Sequence, residues 1–486
     1  MALKIIILAA FALMTIIVGI IASRKARSFS DFFLGGNDIG PWMTAFTYGA
    51  AYFSAVLFIG FAGKIGWDFG MSGLWIALGN SFIGVLGVWW ILGPKIKKMS
   101  TDWDVQTMAE YFEKRYNSKA LNIYTSICIF IFFIPYTAAV FMGLSYLFKA
   151  NFNVEYTTAL AFMGIFTAVY LVMGGYRSMT MIDVIFGIIM IAGVITLFFS
   201  TVSSGGGLDK IFAGLASVNP KLTSTVGPPG IWPLFCLVFL TSVAPFAMPQ
   251  LVQKFYAIKD QRSIRIGMVA STIFSILIAG VAYFTGATAR LFISPENAPA
   301  AFKNGKPVFD ALVPEFLAKA VPEGLSILIL LLVISASMST LAALVLISSS
   351  TVSKDVYHRF INNKASDKRL TIMMRVCSAF FVLLSVIMAY FKPATIVSIL
   401  GISWGSIGAA FLGPFVWGLL SKRTTKFAAF TSSVLGLATC LILYVKGISP
   451  PEAGTIGMLI SLGVCPAISL FSPAKEQVFV ESNINR

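Results

Sequence analysis

Long apolar stretches alternate with short polar connections along most of the chain. A helix needs about 20 mainly apolar residues to cross a bilayer. Thirteen runs approach that length: 4–22, 41–67, 73–93, 120–148, 156–174, 178–200, 231–256, 264–293, 325–352, 370–391, 394–421, 425–445 and 453–472. They predict an all-α polytopic membrane protein. The first run could be a cleaved signal peptide. Its length, the lack of a clean small-residue cleavage site, and Arg24, Lys25 and Arg27 just after it favour a retained span. Basic residues then set the orientation. With the N-terminus outside, 25 of the 36 Lys and Arg residues fall in inside segments, so the expected topology is N-terminus out and C-terminus in. Among the connections, residues 101–119 carry Met108, Tyr111 and Phe112 at helical spacing and predict an interfacial inner helix that seals the base of the bundle. Residues 203–207 read as a flexible outer loop, and 301–323 could hold a short outer helix.

Composition supports the same class. Of the 486 residues, 57% are hydrophobic and 12% charged, against about 25% charged in a soluble domain. That excludes a soluble enzyme, a nucleic-acid-binding protein and a disordered scaffold. The net charge of +16 follows from basic inner loops and implies no nucleic-acid partner. Cys128, Cys236, Cys377, Cys440 and Cys465 all sit in apolar runs without metal-ligand spacing, and read as small core hydrophobes. One histidine, His358, and no phosphate-binding G-x-x-x-x-G-K-[ST] motif leave little for catalysis. The chain reads as a non-enzyme with no organic cofactor. A polytopic membrane enzyme would need paired acids or a metal cluster that the runs do not offer.

Charge inside the runs is scarce. Asp183 is the one clear intramembrane acid, and no Arg or Lys falls at an expected midplane. An ion handled there must meet mostly neutral oxygens. Two runs look built to break. The second holds Thr47, Tyr48, Gly49, Ala50, Ala51, Tyr52, Phe53 and Ser54 in succession, and the seventh places Pro245 and Pro249 four residues apart. Unwound backbone at membrane depth is tolerated only where it lines protein or a cavity, and interrupted helices in matching places of two halves mark transporter sites. The plainer alternative is a packing kink in each. In the ninth run the Ala336 carbonyl points towards Ser339 and Thr340. Either those hydroxyls back-bond to preceding carbonyls, or the three oxygens gather for a cation.

Four stretches together resemble the sodium:solute symporter family over roughly residues 4–445. They are DFFLGGNDIGPWMTAFTYGAAYFSA from Asp31, TMAEYFEKRY from Thr107, GGYRSMTMID from Gly174 to Asp183, and SMST from Ser337 with the SSSTVSKDVY run from Ser348. The resemblance implies a LeuT-type fold with a 5+5 inverted repeat. Residues 4–22 would be a peripheral helix, 41–200 the first repeat, 231–421 the second, 425–472 two further peripheral spans, and 473–486 a cytoplasmic tail. It implies sodium-driven import of a small polar organic solute across the cell membrane by alternating access. A sodium-independent carrier or a solute sensor with the same fold is the alternative.

Carried onto matching positions, the implied sodium ligands are Ala50, Phe53, Ala336, Ser339 and Thr340. Asp183 would stand on the ion's exit path, with Arg177 as a possible structural partner. Solute-lining candidates are Tyr48, Ala51, Tyr52, Ser54, Asn80, Thr241, Ser242, Phe246 and Ser403. A second sodium site in some members uses two hydroxyls where this chain has Ala342 and Ala343, which implies one sodium per cycle. Proline permeases carry an aspartate where this chain has Tyr52, and a tryptophan and a tyrosine where it has Thr241 and Pro245. The sequence therefore looks nearer to the pantothenate permease branch, though no motif fixes the solute. Nothing in the sequence sets the oligomeric state.

Overall fold

The structure, a computed structural model, describes residues 2–23, 33–35 and 39–471. Arg24, Lys25, Arg27, Asp31 and the tail 473–486 lie outside the described residues.

In chain order the helices are α1 (Ala2–Ser23), α2 (Pro41–Tyr52), α3 (Val56–Phe61 in wider π winding, continuing as Ala62–Phe69), and α4 (Leu74–Gly79, Asn80–Leu92 and Gly93–Trp103). There follow α5 (Met108–Tyr116), α6 (Lys119–Phe152), α7 (Tyr156–Ser204) and α8 (Leu208–Val218). The second half holds α9 (Ile231–Val243), α10 (Pro249–Ala257), α11 (Gln261–Thr288), α12 (Phe309–Ala320) and α13 (Glu323–Ser350, prolonged by Thr351–Ile361). Last come α14 (Asp367–Phe391), α15 (Ile396–Leu420), α16 (Lys426–Val445) and α17 (Pro450–Phe471). The predicted outer segment does contain a short helix, α12. It is preceded by a tiny antiparallel hairpin pairing Phe302–Lys303 with Lys306–Pro307.

Among the described residues, ten helices are long and apolar enough to cross a membrane, or eleven if the pair Ile231–Ala247 and Pro249–Ala257, bent by 41°, counts as one span. This is fewer than the thirteen apolar runs, for local reasons. Run 41–67 is split at Phe53, and its second half joins run 73–93 in one stretch, Val56–Trp103. Run 156–174 yields only a shorter apolar helix, Tyr156–Val169, ahead of a break in α7. That break is at Gly175, with φ 66° and ψ −178°, where a side chain would strain the backbone.

The bundle is layered around α13 and α15, the most enclosed spans, in whose most apolar 18 residues 83% and 89% are buried, whereas in α1 only 17% are, and it lies at the edge. α13 packs along α7. At one crossing, α3 and α11 meet backbone to backbone. A Cβ on Gly286 would stand 1.9 Å from the Ala62 carbonyl oxygen, so only glycine fits. At the end of the bundle expected to face inside, Thr107 caps α5 by accepting the Glu110 N–H at 3.0 Å. The Tyr116 hydroxyl donates to the Pro414 carbonyl at 2.5 Å, and Arg115 donates to the Gly418 and Ser421 carbonyls at 2.9 Å each. α5 thus closes the base of α15, the role its amphipathic pattern predicts. The five cysteines are free; four are buried and Cys377 is half-buried.

Candidate functional site

The first broken span ends α2 at Tyr52, and Phe53 turns to extended backbone, φ −112° and ψ 123°. A helix end leaves its last carbonyls without intrahelical donors. The donors that would have served them are diverted. The Ala55 N–H goes to the Ser337 hydroxyl at 2.9 Å, and the Val56 N–H goes to the Ser54 hydroxyl at 3.2 Å. Ser337 in turn donates to the Val333 carbonyl at 2.6 Å, so α13 holds the break in place.

Into this break projects Thr340. Its hydroxyl oxygen lies 3.2 Å from the Ala50 carbonyl, 3.4 Å from Ala51 and 3.1 Å from Ala336. A hydroxyl carries one hydrogen and cannot satisfy three carbonyls together. The result is a buried knot of oxygens across two helices, the donor set a hard cation takes. The two readings of the α13 hydroxyls therefore meet in one residue, since Thr340 back-bonds to Ala336 and also bridges to α2. Ser339 is fully buried, and its hydroxyl makes no hydrogen bond. Phe53 sits at the break itself.

Beside Ser339 lies a second feature. The carboxylate of Asp183, on α7, faces the Ser339 and Thr47 hydroxyls and is within electrostatic reach of the Lys254 ammonium. All four residues are buried, and none of these polar atoms makes a hydrogen bond. The absence of intramembrane Arg or Lys expected from the sequence is thus corrected. Lys254 reads as a loop base because Lys259, Arg262 and Arg265 follow it. The bend after α9 instead carries α10 inward, and every residue of α10 is buried. Arg177 is exposed, so the base facing Asp183 is Lys254.

A small cavity of about 30 Å³ opens next to the first break, lined by Tyr52, Ser54, Asn80 and Thr241 of the expected set. Tyr52 donates to the Thr241 carbonyl at 2.6 Å, tying the two broken spans together, and Ser242 donates to the Asn80 side chain at 3.3 Å. The other expected lining residues lie elsewhere. Tyr48 is packed against Trp89 and Phe255, with its hydroxyl on the Gly84 carbonyl at 3.3 Å. Ala51 offers its carbonyl to Thr340. Phe246 sits at Gly87, against α4. Ser403 is spent on the Phe132 carbonyl at 2.6 Å. The sequence missed the aromatic wall of Tyr136, Tyr283 and Trp404, and the Phe53 ring. In a chain with 43 Phe, 15 Tyr and 9 Trp, no local signal separates a lining ring from a packing one.

Further in, α5 and the 351–361 segment share a polar network. Thr107 donates to Asp355 at 2.7 Å, Lys354 pairs with Glu110 at 3.0 Å, and Arg359 pairs with Glu113 at 2.6 Å.

The model of the sodium:solute symporter family matches residues 32–436. The osmoregulated proline transporter OpuE of Bacillus subtilis is 28% identical, over 89% of this chain and 87% of that protein. The sodium/pantothenate symporter of Haemophilus influenzae is 26% identical, over 92% and 90%. Those identities do not separate the two branches. A Na+-coupled sialic acid symporter in its outward-open state superposes with a TM-score of 0.82 at 16% identity, covering 98% of this chain and 99% of that one, and so shares the fold. The chain is a multi-pass protein of the cell membrane, a transporter and not an enzyme. It belongs to the sodium:solute symporter family, built on the LeuT-type fold, and couples sodium to solute import.

Proposed function

We propose that one sodium ion rides at the knot of Ala50, Phe53, Ala336, Ser339 and Thr340, and that a compact solute of no net charge binds in the cavity between the broken spans. The observation that carries this is Thr340, whose one hydroxyl touches carbonyls of both α2 and α13. A cation there would fasten α13 to the broken span, and its release inward would loosen that contact and let the bundle rock. Asp183, beside Ser339, would draw the leaving ion.

The solute class follows from the lining. The cavity offers hydroxyls, an amide and aromatic faces but no charged side chain. Proline, carried by the Bacillus relative, has no net charge and so suits this lining better than the pantothenate anion, although Tyr52, Thr241 and Pro245 replace residues that proline permeases carry. Energetics favour it as well. One charge crossing 100 mV is worth about 2.3 kcal/mol, and a tenfold sodium gradient adds roughly 1.4 kcal/mol. One sodium could concentrate a neutral solute on the order of 500-fold, but a monoanion only about tenfold. In this reading the chain crosses the membrane thirteen times, N-terminus out and C-terminus in, and needs no organic cofactor.

The test is uptake into proteoliposomes of purified protein, with proline and pantothenate as probes and sodium or choline outside. Sodium-dependent proline uptake supports the proposal. Flux unchanged by choline would overturn it.

A further inference from the structure

Lys254 is the buried group that the transport reading leaves unused. It stands on α10, the inner half of the second broken span, and is fully buried. Its ammonium lies 4.9 Å over the ring of Tyr176, the residue just past the break in α7. It makes no hydrogen bond. Among the described residues, the charged group that acts on it is Asp183, which is itself fully buried and faces Ser339 and Thr47. Acid and base thus hang from two different interrupted helices and meet beside the oxygen knot.

A lone carboxylate in a dry interior is costly, and an opposite charge within several ångströms offsets that cost, because the Coulomb energy is little screened there. With Lys254 present the chamber is neutral before sodium arrives and carries one positive charge afterwards. Without it the chamber would start at one negative charge and have room for one more cation. We infer that the Lys254 ammonium is a tethered cation that neutralises Asp183 throughout the cycle, so that the chamber takes up one mobile cation instead of two. This rests on the sodium-symport reading above. It makes Lys254 a positioning residue that sets the coupling ratio through Asp183. Tyr176 keeps the ammonium over its ring face, a favourable seat for a cation.

The experiment is a reversal-potential titration in proteoliposomes, with proline as solute, for wild type, Lys254→Met, Lys254→Arg and Lys254→Met combined with Asp183→Asn. Radiolabelled sodium binding to the purified proteins runs in parallel. Wild type and Lys254→Arg are expected to balance at one cation per solute. Lys254→Met should need two, with a sodium Hill coefficient that rises from about one towards two. Adding Asp183→Asn should bring the ratio back to one. Imposed sodium and pH gradients tell which cation is recruited, and either one supports the inference. If Lys254→Met alone fails to reach the membrane, recovery in the double variant supports the charge pairing, and failure to recover overturns it. A folded Lys254→Met that still balances at one overturns the inference and leaves sodium symport standing. Wild type without sodium-driven flux would overturn both.

Discussion

Two clusters of polar groups share α13 and differ in burial and in how they are satisfied: the inner one reaches solvent at Arg359, and the middle one is fully buried. At the inner end, Asp355 accepts from Thr107, Lys354 holds Glu110 and the Gln106 amide oxygen, and Glu113 receives both Arg359 and Asn122. Near the middle, the Thr47 and Ser339 hydroxyls approach Asp183 only at long range, and none of Thr47, Asp183, Lys254 and Ser339 makes a hydrogen bond of normal length. A fully paired network is rigid and holds its neighbours in one arrangement. Unpaired buried groups cost free energy, which a visiting cation can relieve. On the proposed reading, the inner cluster holds the bundle together and the middle one handles the ion.

The largest expected effect is on the ion. Thr340→Ala removes the one side-chain oxygen that bridges α2 and α13. Hydrogen bonds to charged groups are worth about 1.5–3 kcal/mol, so half-maximal uptake should need roughly 10- to 100-fold more sodium. Thermal stability in sodium-free detergent should change little, since Ala is a strong helix former. An unaltered sodium dependence would remove the middle cluster's assignment. Thr107→Ala should show the converse. It orphans the Asp355 carboxylate, which is 2% exposed, and should lower stability by about 1–3 kcal/mol while the sodium dependence of binding stays put. A shift in sodium affinity there would erase the division between the clusters. Asp183→Asn comes next. It should slow sodium-driven uptake severalfold, yet leave equilibrium solute binding at saturating sodium nearly intact. Loss of that binding would place Asp183 in solute recognition.

The smallest effect lies outside the spans, at Asp310 on α12. Its carboxylate accepts the Ile396 N–H at 3.2 Å at the start of α15, and burial pushes it up to about 6 despite that bond and nearby Lys64. The folded chain thus holds this proton more tightly than the unfolded one. The group's contribution to stability is complete below its ordinary 3.8 and is lost as pH climbs to about 6. Melting curves of wild type and Asp310→Asn should therefore diverge across that window and run parallel above it. Parallel curves throughout would show that Asp310 is solvated in the folded protein.

Much of this was legible in the chain because the bilayer imposes long apolar runs and penalises broken helices. The breaks at Tyr52 and at Pro245 to Pro249, the Ser339 and Thr340 pair, and the lone acid Asp183 all stand out against apolar surroundings. The rest depends on how helices turn in space. Lys254 lies in a basic stretch, and only the 41° bend after α9 shows that it points into the bundle. Tyr48, Phe246 and Ser403 have the chemistry to line a site, but rotation of their helices points them at Trp89, Gly87 and the Phe132 carbonyl instead. Spacing along one helix does not reveal which neighbour it will meet. The thirteen apolar runs and the ten or eleven long helices differ for a related reason, since the second half of run 41–67 and run 73–93 form one stretch, Val56–Trp103.

The cysteines have a practical consequence. Four of the five are buried and the fifth is half-covered on α14, so the native thiols are shielded from water-borne maleimides. A single cysteine introduced at an exposed loop position, such as Lys306 in the hairpin or Lys364 between α13 and α14, would react almost alone. Membrane-impermeant reagents added to intact cells or to inverted vesicles would then report which side each loop faces. The native chain already serves as its own low-reactivity background for that labelling.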